Sequence, residues 1–513
     1  MCGIYLLLKL LEHIDIQTEL NKIKHRGPDN SALQIIDNMA FGFHRLSIIN
    51  PLNDDAMQPF EEKDIVLLCN GEIYNYRELY AAHFKEETAD LKVDIEIIHK
   101  LYIKYGIEKT IKMLDGDFAF ILYDKSTQMI YTGRDPIGLK PLYFGYKNNE
   151  LIAISSEIKA ITNYCDQVNE HDIGAFTTIH NNTLITSETY FNFIENIQPN
   201  VAEADIKINI QRLLAQSVNK RIDHTDRPYA FLCSGGLDSS LILALAVEKL
   251  GCENVHAFSL ELKNSHSEDT FYAKLLTTQY NVKHTIIQFS KEEGLSYINE
   301  IIQQLETYDV NTIRASIPMY IMAKWIKENT DYTVIFSGEG ADELFMGYLY
   351  FNYFKQTPAE IIASNNETCR LLSNMHCFDV LRAERCFSCN GLELRVPFLD
   401  KEFMEYVLTI DGRFKQPRNG VEKYILRESF KYLDKIPSHI LSRQKEKMSD
   451  GIGFGWVNAV MDFCKSKNST EKEYFAQIFD TYYPNRQNVI IPRELPTLIT
   501  DHVAQQQGAG LMM

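Results

Sequence analysis

No stretch of this 513-residue chain stays apolar long enough to cross a bilayer: Lys9 and Glu12 interrupt the first hydrophobic run and Asp238 the second. That argues against membrane-spanning helices. Basic charge is scarce, with 52 Lys and Arg against 69 Asp and Glu and a formal net charge of −17. Nucleic acid and anionic membrane are therefore poor partners, and an anionic ligand needs locally placed cations. The amino end has neither a basic n-region nor a small-residue cleavage site, so no secretory signal is read there. The 10 cysteines form no repeated CxxC spacing. Cys386-Phe387-Ser388-Cys389, with His376-Cys377 upstream, lacks the second pair that a zinc site of this kind needs. Free thiols, a reducing compartment and a cytoplasmic location are the expectation. A Gly-Lys-Ser/Thr phosphate loop is also missing, which disfavours cleavage of ATP between its β and γ phosphates.

What is present centres on Tyr229 to Gly251. Tyr229-Ala230-Phe231-Leu232-Cys233 has strand length, and from Ser239 to Gly251 small and apolar residues recur at helical spacing. Between them runs Ser234-Gly235-Gly236-Leu237-Asp238-Ser239-Ser240. A bare SGG reads equally well as an ordinary strand-turn-helix junction with a serine cap. The full run is more specific, because unpaired N–H groups at a helix start, glycines that let an anion approach and serine hydroxyls together suit phosphate. Asp238 adds a carboxylate for Mg2+. The loop resembles the pyrophosphate loop of enzymes that split ATP between the α and β phosphates.

At the amino end, removal of Met1 would leave Cys2 with a free α-amine beside its own thiol. An amine titrating near pH ~8 can serve as base for that thiol. His25-Arg26-Gly27-Pro28-Asp29 is a charged turn cluster, Arg45 projects from the strand around Phe43 to Ile48, and Asn70-Gly71 ends the strand Leu67-Leu68-Cys69. Asn70-Gly71 alone would be a hairpin turn, but Glu72-Ile73-Tyr74-Asn75 continues it too specifically. With Cys2-Gly3-Ile4, the Gly133-Arg134-Asp135-Pro136 stretch and Ser155-Ser156-Glu157, these motifs resemble the glutaminase domain of N-terminal-nucleophile amidotransferases. Joined to the Ser234 loop, nearly the whole chain is similar to the glutamine-hydrolysing asparagine synthetase family.

The resemblance implies an α/β fold: an αββα layered glutaminase domain over residues 1–197 and a doubly wound parallel-sheet ATP-pyrophosphatase domain, with extra helices, over 198–513. It implies Cys2 as nucleophile, Asn70 and Gly71 as oxyanion donors, and Arg45, Asn70, Glu72 and Asp94 as the glutamine-binding set. An aspartate before a helix is more often an N-cap, so Asp94 also has that reading. In the second domain the resemblance assigns ATP to Leu232, Ser234, Gly235, Gly236, Asp238, Ser239, Leu260, Ser337 and Gly338, and Mg2+ to Asp238 and Asp342. Glu339 and Lys445 become catalytic. Thr312 and Arg314 would bind aspartate, on a stretch ahead of a helix that Pro318 is expected to help start. Two features depart from the pattern: Glu261 beside the expected adenine pocket, and Asp269, whose role is left open. Small-molecule substrates glutamine, aspartate and ATP follow, with no nucleic acid and no membrane. Oligomeric state is not legible, a homodimer being among the forms allowed. A related amidotransferase or cyclising ligase that adenylates another carboxylate is the alternative, and a catalytically weakened regulator is a more distant one.

Overall fold

The computed structural model describes residues 1–53, 56–84, 92–193, 197–198, 201–431, 436–444, 455–484 and 489–490. Two sheets build the first part of the chain. One orders β18 (Val489–Ile490), β10 (Gln167–Glu170), β8 (Tyr143–Lys147), β9 (Glu150–Ser155), β1 (Gly3–Leu7), β3 (Met39–Arg45) and β2 (Asn30–Ile36). The other orders β12 (Thr183–Thr189), β11 (Ala175–His180), β7 (Met129–Arg134), β6 (Gly116–Asp124), β5 (Ile65–Ile73) and β4 (Phe60–Glu62).

The alternation of side chains along a strand explains the layering. Ile4 and Leu6 of β1 meet Val66 and Leu68 of β5 and Ala119, Ile121 and Tyr123 of β6, so this core lies between the sheets. The intervening Leu67, Cys69, Phe118, Phe120 and Leu122 face the opposite way, onto Ile97, Ile98 and Leu101 of the helix Glu96–Tyr105. Tyr5 and Leu7 face away from the sandwich, into a core continuous with the second half of the chain. Strands buried on both faces carry continuous apolar runs, and β1, residues 65–69 of β5 and residues 118–123 of β6 read that way.

The second half begins with the helix Glu203–Asp223 and holds a parallel sheet ordered β15 (Lys283–Phe289), β14 (His256–Leu262), β13 (Tyr229–Leu232), β16 (Val334–Phe336) and β17 (Glu393–Arg395). The chain fills one side of β13 with β14 and β15, then crosses to the other side for β16 and β17. Strand order therefore reverses between β13 and β16. In parallel sheets the crevice beyond the carboxyl ends of such strands is where ligands bind.

One local reading needs correction. The helix expected to begin near Pro318 spans Val310–Asn329, and Asp309 caps it by accepting from the Thr312 N–H at 2.7 Å. Pro318 lies inside it. A proline there lacks the N–H that would bond the carbonyl four residues earlier. That carbonyl, of Arg314, accepts instead from Trp456 Nε1 at 3.0 Å, so a distant indole makes the interior proline tolerable.

Candidate functional site

Cys2 precedes β1, whose pairing with β3 sets Gly3 opposite His44. Its Sγ lies 3.4 Å from the Leu46 N–H and 3.7 Å from the Leu46 carbonyl. Burial pushes the thiol pKa up, so it needs a base to become a nucleophile. The Cys2 nitrogen donates to Asn70 Oδ1 at 2.7 Å. That contact fixes the Asn70 amide with its oxygen toward the nucleophile's nitrogen, while Asn70 Nδ2 is buried without a hydrogen-bond partner. A buried orphan donor is costly and calls for an acceptor. At Gly71 a Cβ would lie 2.3 Å from the Asp117 carbonyl, so no side chain fits where β5 presses on β6.

The Arg45 guanidinium is collared by the carbonyls of Asn53 at 2.9 Å, Asn50 at 3.1 Å and Ile49 at 3.2 Å, which fix its fork. Glu72 and Asp94 come together in a buried cluster with His224: His224 Nε2 is 3.3 Å from an oxygen of each. Asp94 is not a helix cap, since Ile95 holds that position and Asp94 accepts from the Ile73 N–H at 2.5 Å. Burial and the neighbouring Glu393 and Asp94 push Glu72 up to about 7. Burial alone would lower His224, but the adjoining Asp94 and Glu72 carboxylates win and raise it to about 9. The edge strand β17 reaches this site too: Arg395 Nη2 is 3.6 Å from Glu72, and Glu393 is 3.4 Å from the Met1 amine.

The second site opens where the strand order reverses. Leu232 lines it from the end of β13, Ser234, Gly236, Asp238 and Ser239 from the loop and helix start that follow, Leu260 from β14, and Ser337, Gly338, Glu339 and Asp342 from the loop and helix start after β16. Gly235 adopts φ +68° just behind the lining, where a Cβ would meet the Ala273 backbone at 2.4 Å. Ser239 Oγ accepts from the Ser234 N–H at 3.1 Å and tightens the turn ahead of the helix Leu237–Leu250. Gly338 packs so closely that a Cβ would lie 2.9 Å from the Ser239 nitrogen, which locks the two loops together.

Lys423 Nζ pairs with both Asp238 and Asp342, 2.8 Å from the latter, and Asp238 Oδ1 is buried without a hydrogen-bond partner. Two carboxylates converging from separate strand ends make an oxygen donor set that fits a hard divalent cation. Arg382 Nη2 stands 3.6 Å from Glu339, and Arg443 pairs with Asp269 at 2.5 Å. These cations, with Arg427, supply the local positive charge that an acidic protein needs, and all four line the cavity. Sequence reading gave none of them a role: Lys423 and Arg427 lie outside its motifs, while Arg382 and Arg443 belong to stretches that resemble the family without marking which residue reaches the cavity. Two expected residues, both described, are not on the cavity. Thr312 is buried at the start of its helix and Arg314 is engaged by both carboxylate oxygens of Glu471. Lys445 lies outside the described residues. Glu261 is turned to Gln288, 2.6 Å away.

The geometry defines a two-site protein: a cysteine beside an unpartnered amide donor on a layered sandwich, and a crevice lined by serines, carboxylates and cations on a parallel sheet. A glutamine amidotransferase domain model matches residues 1–212, and an asparagine synthase model matches 209–363 and 356–487. A glutamine-hydrolysing asparagine synthetase of Bos taurus is 36% identical over 545 residues, covering 95% of this chain and 94% of the relative. Its Homo sapiens counterpart is 35% identical over 540 residues with the same coverage. The chain belongs to the glutamine-hydrolysing asparagine synthetase family.

Proposed function

We propose that this chain makes L-asparagine from L-aspartate, ATP and the amide nitrogen of L-glutamine. The observation that carries the reading is the union in one chain of Cys2, set beside the unpartnered Asn70 Nδ2, with a serine-rich anion loop where the parallel sheet reverses its strand order.

In the first site Cys2 Sγ attacks the side-chain carbonyl of glutamine, with its own α-amine as base once Met1 is removed. Asn70 Nδ2 and the Gly71 N–H receive the oxyanion, a task for which one preorganised donor is typically worth ~3 kcal/mol. Ammonia leaves, and water cleaves the thioester to glutamate. Arg45 takes the α-carboxylate, and Glu72 and Asp94 the α-ammonium. Ammonia then passes through the interior to the second site.

There a β-carboxylate oxygen of aspartate attacks the α-phosphorus of ATP, pyrophosphate leaves, and β-aspartyl-AMP forms. The Ser234 to Ser239 loop cradles the phosphates, and Lys423 and Lys445 neutralise them. Asp238 and Asp342 would hold Mg2+, which supplies charge neutralisation on the leaving pyrophosphate. Glu339 accepts a proton from attacking ammonia, whose nitrogen bonds to the acyl carbon as the C–O bond to AMP breaks. Arg382, beside Glu339 on the cavity, takes the carboxylate-binding role expected of Arg314. The residues assigned to the two domains, 1–197 and 198–513, work as a unit in the cytoplasm.

The test is isotopic. Aspartate carrying 18O in its β-carboxylate must deliver one 18O to the phosphate of AMP while asparagine forms. Unlabelled AMP alongside asparagine would remove the acyl-adenylate from the scheme.

A further inference from the structure

His224 was not among the residues that the sequence nominated, and it belongs to neither set of motifs. It is the C-terminal cap of the helix Glu203–Asp223, well past the last strand of the sandwich, yet its ring is buried against two carboxylates of the first site. Tyr74 and Tyr76 hold that ring edge-on, with centroids 5.2 and 5.3 Å away. The donor count does not close. Nε2 lies 3.3 Å from both Asp94 Oδ2 and Glu72 Oε2, but its one N–H is aligned with only one of them. Asp94 receives the hydrogen bond, and the buried Glu72 Oε2 is left without one. An ammonium, with three N–H groups, could satisfy both oxygens.

Resting on the reading of Glu72 and Asp94 as the ammonium-binding pair for glutamine, we infer that His224 is a specificity-determining residue of that site. Its imidazolium occupies the two carboxylates in the absence of substrate, and the glutamine α-ammonium must displace it. The other charged groups around the cluster are fixed. Arg395 approaches Glu72 from β17, with Glu393 beside it on the same strand. Arg221 stacks on Tyr74, whose hydroxyl donates to Asp117 at 2.7 Å. The resident cation keeps a buried pair of carboxylates from repelling each other. The cost is competition with substrate, and that competition fades as pH rises past about 9, where the imidazolium gives up its proton.

The experiment is steady-state glutamine hydrolysis by the full chain, wild type against His224→Gln and His224→Leu, from pH 7 to pH 10. Both neutral variants should lower KM for glutamine at pH 7 by about threefold or more, with kcat within about twofold. The ratio of wild-type to variant KM should fall toward one as pH passes about 9. Taking the ratio cancels titration of glutamine's own ammonium and of the Cys2 amine. An unchanged or higher KM in both variants, or a ratio indifferent to pH, overturns the inference. Asparagine synthesis from free ammonia by the same samples reports whether each variant is folded, and Gln stands in where Leu is not tolerated. Absence of glutaminase activity in the wild type would instead defeat the assignment of the first site.

Discussion

Asn70 does two jobs with one amide. Its oxygen accepts from the Cys2 nitrogen, and in the proposed mechanism its unpartnered Nδ2 receives the oxyanion. Asn70→Ala should therefore cut kcat for glutamine hydrolysis by about 10²- to 10³-fold, the range seen for loss of one oxyanion donor, and leave ammonia-dependent synthesis unchanged. Parallel assays with the two nitrogen sources check it; equal losses in both would mean a structural role. Glu72 gives a pH prediction whose sign is fixed by its raised pKa. It binds a proton as pH falls through about 7, so the ammonium site loses charge and kcat/KM for glutamine should drop on the acid side of about 7. A profile that stays flat there until pH ~5 would mean that Glu72 does not face the substrate.

At the scale of elements, the loops after β13 and β16 act as one piece because Gly338 sits against the Ser239 backbone. Gly338→Val must push them apart. It should raise KM for ATP by at least about tenfold, measured by pyrophosphate release, with glutamine hydrolysis intact; an unaltered KM would show that the loops move independently. These loops were legible in the sequence because strand, turn chemistry and helix start lie next to one another. The same holds for Cys2, Asn70 and Glu72, which adjoin apolar strand runs, residues 3–7 and 65–69, that announce burial. What was not legible comes from afar. Lys423 and His224 are residues whose neighbours in sequence say nothing of the site they enter, and Trp456 rescues the carbonyl opposite Pro318 from 138 residues downstream of that proline. Arg314 suited a carboxylate by type, and it found one in Glu471 rather than at the cavity.

For the whole molecule, the two halves are joined by buried charge as well as by a continuous apolar core. Arg26 pairs with Glu157 at 2.6 Å and with Glu384, and Arg385 reaches the same Glu157 at 2.5 Å and Glu306 at 3.0 Å. Glu306 in turn accepts the N–H groups of Ile158 and Lys159 at 3.0 and 2.9 Å. Removing one member leaves buried charge uncompensated, so Arg26→Ala should destabilise the chain by about 3–5 kcal/mol, read as a lower denaturation midpoint. A midpoint within error of wild type would show that the network contributes no net stability. Two sites in one folded unit make sense if ammonia released at Cys2 is consumed at Glu339. The most direct measurement is a product assay with ATP, Mg2+ and aspartate, in which wild type and Cys2→Ala each receive either glutamine or ammonia. Wild type should form asparagine, AMP and pyrophosphate from both nitrogen sources, and Cys2→Ala from ammonia alone. Glutamate produced by wild type without AMP or asparagine would contradict the assignment of the second site, and asparagine made from glutamine by Cys2→Ala would contradict the first.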